Sequence, residues 1–530
     1  MKKIFINGIV YTGKDIKQAF VVEDNIFTYV GNNQEALAQL NDEDELIDLD
    51  HKFVCAGFND SHMHLLNLGQ SLLYAKLNEH TNSLKDFKDY LRQYINDNPD
   101  LNWIKGRGWN QDLFTDEKRM PNKNDLDELS IDKPIFLART CGHMVVVNSK
   151  ALQIANIDAH SKSPLGGEID FENGLLIDNA ISLVKDLIPL PNKQDIQKMF
   201  LSAISHLNTF GITSVQSDDY HTFNGLDYKL IDEVLHELEK QSNLNIRIYE
   251  QSQFKDYKSL KQFIDDGNIT SKGTNFFKTG PIKIVADGSL GSRSAALNKP
   301  YNDDPSTNGL LIYSDEELNS MVDYANKNRM QLAIHSIGDR CLDQILNAYE
   351  LTLNNHPREN HRHGIVHCQI TRKDQLEKSA ELNMLIYAQT IFLDYDNQIV
   401  EDRVGKDLAK TSYNFKTLMN MGLNVSNGSD APVETANVLK GMQCAITRSS
   451  LDKNNTYLID QAFSVEEAIK SYTINGAYAS FEENIKGLIQ ENYLADFVIL
   501  DKDLFNVDVN KIKDIKVLKT YLNGKCVFSL

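Results

Sequence analysis

The sequence predicts an α/β fold, a (β/α)8 TIM-type barrel with a segment inserted after strand 1 and a small β-sandwich domain formed by both chain ends. Three observations predict it. Eight short apolar runs with the character of buried parallel strands recur between residues 53 and 430. Helical patterns separate most of them, as in Glu316-Glu317-Leu318 through Tyr324-Ala325. Short strand-like runs broken by turn signals fill the first fifty and last forty residues.

Taken in order, Lys3-Ile4-Phe5-Ile6, Asn7-Gly8 and Ile9-Val10-Tyr11-Thr12 read as a hairpin. Ala19–Val22 and Ile26–Val30 read as a second pair. At the other end Ala495–Leu500, Ile515–Thr520 and Tyr521–Phe528 repeat the texture. A composite β domain from residues 1–53 and 484–530 is therefore expected, around a barrel spanning 54–483. The barrel strands are expected at Phe53–Phe58, Gly211–Gln216, Asn245–Tyr249, Pro281–Ala286, Gln331–His335, Gly364–His367, Met384–Ala388 and Leu423–Asn427.

The gap after the first strand is too long for one crossover. From about 66 to 200 it carries a helical pattern at Leu84–Ile95, a loop at Gly106-Arg107-Gly108-Trp109-Asn110 and a strand-like Pro134–Arg139. It reads as an insertion covering the barrel mouth; its other open role is an interface between the subunits of a homodimer. Near the end, Ser464-Val465-Glu466-Glu467 is a capping box opening a helix that runs to about Ser480.

Composition narrows the function classes. Hydrophobic residues make up 41% of the 530, with 23 Phe and 21 Tyr, enough for a large core and against disorder. The formal net charge of −19 argues against nucleic acid and anionic membrane surfaces, leaving a small-molecule substrate. The six Cys are scattered without a CxxC, as in the reduced thiols of a cytoplasmic protein. Ile4-Phe5-Ile6 is too short for a signal peptide core, and no later run is long enough to span a bilayer.

Chemistry enters at Asp60-Ser61-His62-Met63-His64. Side chains alternate along an extended chain, so His62 and His64 share a face. Two imidazoles there, beside an acid, make half a metal site. Downstream, Lys283 lies inside the apolar Pro281–Val285, His335 and His367 each end an apolar strand, and Asp430 follows the last one. Singly each has a bland reading: a hydrogen-bonded core histidine, a snorkelling lysine, a turn-opening aspartate. On strands one, four, five, six and eight of a barrel whose reactive groups sit at the carboxyl ends, they converge on one point.

These motifs resemble the amidohydrolase superfamily, and within it the amidohydrolase 3 or YtcJ-like metal-dependent hydrolases. The resemblance rests on residues 56–64 and 283–295, on His335-Ser336-Ile337-Gly338-Asp339, His367-Cys368-Gln369 and Gly428-Ser429-Asp430-Ala431-Pro432-Val433. It extends to Gly106-Arg107-Gly108-Trp109 and Gly142-His143 in the insertion. One departure is Gly364-Ile365-Val366-His367, where relatives often carry Arg and Glu before the histidine.

The resemblance implies that His62, His64 and Asp430 bind a first divalent transition metal, Zn2+ ahead of Mn2+ or Fe2+, and His335 and His367 a second. Lys283 would join only if carboxylated by CO2, which leaves one ion or two open. A metal-held water would be the nucleophile, Asp430 its base and proton carrier, and His143 an electrophile or substrate contact. Arg293, in a glycine-rich segment, is a candidate grip on a substrate carboxylate, against the reading of a solvated arginine. Trp109 and Phe392 are candidates for an apolar pocket wall, against ordinary packing.

The implied activity is hydrolysis of a non-peptide carbon–nitrogen bond in a small amide, such as an N-substituted formamide or an N-acyl amine. One competing reading is a hydrolytic deaminase of a heterocycle. Such enzymes usually place Glu three residues after the fifth-strand histidine, where this chain has Gly338. The other is a non-catalytic metal- or ligand-binding barrel, which would lack a base or a ligand.

Overall fold

Eight parallel strands stand side by side in chain order in the computed structural model, which describes residues 2–452 and 455–530. They are β1 (Phe58–Met63), β2 (Ile212–Ser217), β3 (Arg247–Gln253), β4 (Phe277–Val285), β5 (Leu332–Ser336), β6 (Gly364–His367), β7 (Leu385–Ala388) and β8 (Val425–Asn427). Helices follow the strands, among them Tyr228–Lys240, Asp315–Lys327 and Asp339–Asn355. The helix at Asp315 starts where Ser314 and Glu317 cap each other reciprocally, satisfying the backbone N–H groups that a first turn leaves free.

The seam between β8 and β1 is closed just beyond the end of β8. Asp430 N–H donates to the His62 carbonyl at 2.8 Å, and His64 N–H to the Ala431 carbonyl at 2.9 Å. Gly428 permits the approach, since a Cβ there would lie 2.5 Å from the His62 nitrogen.

The chain divides into two compact units, Met1–Leu68 with Phe200–Leu530, and Gly69–Met199. The first unit holds the barrel and two further sheets. Four strands (in order Ile26–Gly31, Ala19–Glu23, Lys2–Ile6, Glu45–Asp48) form one, and six form the other, with Phe497–Leu500 beside Phe53–Ala56 at its centre. Aromatic residues fill the core that they share: Phe5 stacks on Phe20 at 4.6 Å between ring centroids, and Phe497 on Tyr521 at 4.4 Å. Arg247, at the start of β3, is buried against Asp496 in a bidentate pair of 2.6 and 2.9 Å.

Several elements differ from the sequence reading. The run Phe53–Phe58 is two strands: Phe53–Ala56 pairs with Phe497–Leu500, and β1 begins at Phe58. Gly57 is the crossing point, where its N–H donates to the Asp496 carbonyl at 2.9 Å and a Cβ would meet Thr213 Oγ1 at 2.3 Å. His62 therefore lies within β1, and His64 just past its end. Lys2–Ile6 and Ile9–Tyr11 are no hairpin; Asn7 at φ +57° sends the chain from one sheet to the other. The Ala19–Glu23 and Ile26–Gly31 pair is a hairpin as expected. The helix capped by Ser464 breaks after Ser471, because Thr473 leaves helical geometry, and resumes at Ile474.

The second unit is a six-stranded mixed sheet with helices, including Leu84–Asp97. Residues expected as a loop at 106–110 belong largely to the strand Ile104–Trp109, paired with Ile135–Arg139 across an irregularity at Gly108, φ +106°. All six cysteines are free, and no helix of the described residues is long and apolar enough to cross a membrane.

Candidate metal centre

Strand ends β1, β4, β5, β6 and the turn after β8 bring His62, His64, Lys283, His335, His367 and Asp430 to one end of the barrel. The donor atoms of His62, His64 and Asp430 lie within 4.8 Å of one another. Asp430 Oδ1 is 3.0 Å from His64 Nε2 and 3.3 Å from His62 Nε2. Lys283 Nζ, buried, lies 3.3 Å from His62 Nε2 and 3.4 Å from Asp218 Oδ2. The His367 ring sits 4.5 Å from that of His335 and 5.4 Å from that of His62, centroid to centroid.

Local backbone geometry aims these groups. His367 and Asp430 take φ +73° and +58°, a left-handed conformation that costs about 1–3 kcal/mol and concentrates at functional sites. The turn after His64 is tied to the end of β2, with Leu65 and Leu66 N–H donating at 2.7 Å to Ser217 Oγ and Asp219 Oδ1.

The four imidazoles share one arrangement. His62 Nδ1 faces Gln251 Oε1 at 2.6 Å, His64 Nδ1 the Asp218 carbonyl at 3.2 Å, His335 Nε2 the Gly288 carbonyl at 3.1 Å, and His367 Nδ1 Gln389 Oε1 at 2.7 Å. A carbonyl oxygen only accepts, so each of these nitrogens carries the ring proton. The other nitrogen, Nε2 on His62 and His367 and Nδ1 on His335, keeps its lone pair, whereas Nε2 of His64 faces the Asp430 carboxylate at 3.0 Å and holds a second proton that a cation would displace. Gln251 is itself fixed, its Nε2 donating to the Ser61 carbonyl at 3.1 Å. Imidazoles oriented by outer oxygen acceptors, with a carboxylate among them, fit a divalent transition metal.

The electrostatics agree. Burial, with the Lys283 charge nearby, pulls His62 down to about 4, and burial likewise holds His367 well below its usual value. Burial would raise Asp430, but its close contacts with His62 and His64 outweigh it and hold the carboxyl well below the usual range. For His64 burial works downward, and the bond and charge of Asp430 overcome it, raising the ring to about 9. Behind them Asp60, fully buried, accepts from His62 N–H at 3.2 Å and Ser429 N–H at 3.0 Å; burial pushes its carboxyl up to about 7.

Other sequence candidates fall elsewhere. Arg293 offers no open fork: its Nε and Nη2 hold Asp303 at 3.1 and 2.9 Å, and Arg403 binds the same carboxylate. Trp109 is fully buried in the core of the second unit, its indole N–H donating to the Leu137 carbonyl at 3.0 Å, so it has no face for a substrate. His143 is exposed in that unit, Nδ1 2.9 Å from Asp178 Oδ1. Phe392 stacks on His367 at 5.7 Å and is partly open. Gln251, Gln389, Asp218 and Asp287, which lies 3.2 Å from His335 Nε2, escaped the sequence reading. Gln389 follows an apolar strand as the histidines do, and that signal could have found it.

Comparison with known proteins bears on this geometry. The model of the Amidohydrolase family matches residues 45–528. The YtcJ amidohydrolase of Bacillus subtilis is 32% identical over all of this chain and 99% of its own length. An N-substituted formamide deformylase from Arthrobacter pascens is 23% identical over 96% of this chain and 94% of its own. The crystal structure of an uncharacterized metal-dependent hydrolase from Pyrococcus furiosus superposes with a TM-score of 0.79 at 28% identity, covering 96% of this chain and all of that one. With its histidine and aspartate cluster at the barrel end, the chain belongs to the amidohydrolase family and is a metal-dependent hydrolase of amide-type bonds.

Proposed function

We propose that the enzyme hydrolyses a non-peptide carbon–nitrogen bond in a small amide, an N-substituted formamide or N-acyl amine, with Zn2+ as its metal. The observation that carries this reading is Asp430 Oδ1, 3.0 Å from His64 Nε2 and 3.3 Å from His62 Nε2. A divalent cation, which His62, His64 and Asp430 would hold, would supply Lewis acidity to activate the attacking water. Asp430, kept ionised by its two histidine neighbours, accepts the proton of the attacking water and passes it to the leaving nitrogen. His335 and His367 offer two more lone-pair nitrogens for a second ion, a role in which Lys283 serves as a carbamate.

The 23%-identical relative named as an N-substituted formamide deformylase supports the substrate class. Against the deaminase reading stands Gly338, where any Cβ would lie 2.0 Å from the Ala296 carbonyl and a glutamate finds no room. His143, exposed with Nδ1 facing Asp178, is proposed as a substrate contact.

The test is a metal-reconstituted assay on formamides, N-acyl amines, dipeptides and aminated heterocycles. Formamides and N-acyl amines are expected to turn over fastest, with His143→Ala slower at unchanged metal content. Faster turnover of dipeptides, or ammonia release from a heterocycle alone, overturns the substrate class.

A further inference from the structure

Arg448 ends the helix Val438–Thr447 at φ +55°, and its side chain turns inward with no exposed surface. A guanidinium carries five N–H donors. Here Nε donates to the Tyr457 carbonyl at 3.1 Å, while both Nη nitrogens are buried and have no partner. Two residues on, the Ser450 hydroxyl is also buried and unpartnered. Ser449, between them, is half-buried and meets Thr456 Oγ1 at 2.9 Å, and Tyr457 N–H donates to the Arg448 carbonyl at 2.8 Å. A short pinned turn thus carries two buried side chains, Arg448 and Ser450, whose polar atoms lack partners.

The surroundings do not answer this demand. Tyr457 packs by its ring, 5.8 Å from the guanidinium carbon, and its hydroxyl is bonded to the Ala409 carbonyl. Tyr413 gives its hydroxyl to Asp396 at 2.8 Å. Burial lowers the Arg448 pKa only to about 10, so the group stays cationic at neutral pH. The charge of Asp460 reaches the guanidinium, but that carboxylate is exposed and bonds neither Nη nitrogen, and buried donors without acceptors are rare in folded proteins.

We propose that the Nη groups of Arg448 and the hydroxyl of Ser450 hold a buried monovalent inorganic anion the size of chloride. The site is enclosed, with Arg448 0%, Ser450 6%, Tyr413 1% and Tyr457 7% exposed, and its single positive charge calls for a single negative one. The site joins the turn at 448–450 to the segment around Tyr413, whose N–H donates at 2.8 Å to Gln369, two residues past His367.

Crystals of the full chain grown with bromide in place of chloride test this directly. An anomalous peak within hydrogen-bonding reach of both Nη nitrogens is expected. In solution, exchanging gluconate for chloride at constant ionic strength should raise the thermal midpoint saturably, and Arg448→Met should remove that dependence. A map with water alone at Arg448 overturns the proposal, as does a bromide peak without any chloride dependence of the wild-type midpoint, which marks an adventitious ion only. Should Arg448→Met fail to fold, the wild-type map and midpoint decide.

Discussion

Asp430 Oδ1 lies 3.0 Å from His64 Nε2 across 366 residues of sequence, and the Asp430 N–H donates to the carbonyl of His62 at 2.8 Å. One turn thus supplies the acid of the metal centre and the hydrogen bond that closes the barrel. Its φ of +58° serves both, and aspartate tolerates that conformation better than most residues. The same turn closes the seam and places the carboxylate.

Asp430→Asn keeps the shape and one oxygen donor but removes the proton acceptor. Turnover should fall by roughly 10²–10⁴-fold, with a circular dichroism spectrum like that of the wild type. A variant with near-native kcat removes Asp430 from the chemistry.

Gln251→Leu takes away the oxygen that orients His62 through Nδ1, 2.6 Å distant. Such outer partners contribute about 10–100-fold to metal affinity. Chelator competition should show a loss in that range, and unchanged affinity would deny Gln251 its orienting role.

Gly428→Ala forces a methyl group to 2.5 Å from the His62 nitrogen and 2.8 Å from its carbonyl oxygen. Overpacking of this kind costs about 1–3 kcal/mol. Because the strain falls on the seam that positions His62, the purified variant should carry less metal as well as melt earlier. Full metal content would separate the seam from the site.

Metal affinity should depend on pH with a definite sign. In the metal-free protein Asp430 raises His64 to about 9, so the ring is protonated at neutral pH and a cation must displace that proton. Apparent affinity should therefore rise about tenfold per pH unit up to about 9 and then level. The same proton stabilises the metal-free form below the unfolded pKa of histidine, a contribution lost as pH rises through about 9. Titration with a zinc indicator at several pH values checks the slope, and a flat profile rejects it.

Asp496→Ala strands the buried guanidinium of Arg247, whose Nε and Nη2 it holds at 2.6 and 2.9 Å. Breaking one partner of a buried pair costs about 3–5 kcal/mol. A clear drop in the thermal midpoint is expected, whereas a wild-type melt would show that Asn523, the other acceptor of Nη2, suffices.

The sequence by itself determined the barrel, the candidate ligands and their order along the chain. Alternation puts His62 and His64 on one face, and apolar strands ending in His335 and His367 need no partner to be read as buried. Only the tertiary structure decided where the run Phe53–Phe58 divides, since one apolar stretch serves two sheets and the break depends on Thr213 and Asp496. It alone closed the fork of Arg293 on Asp303, buried Trp109, and set Gln251 and Gln389 behind the ring nitrogens. The reason is physical. Periodicity along a strand encodes which side is buried, whereas the partner of a polar group is chosen by contacts between segments far apart in sequence, and no local pattern records that choice.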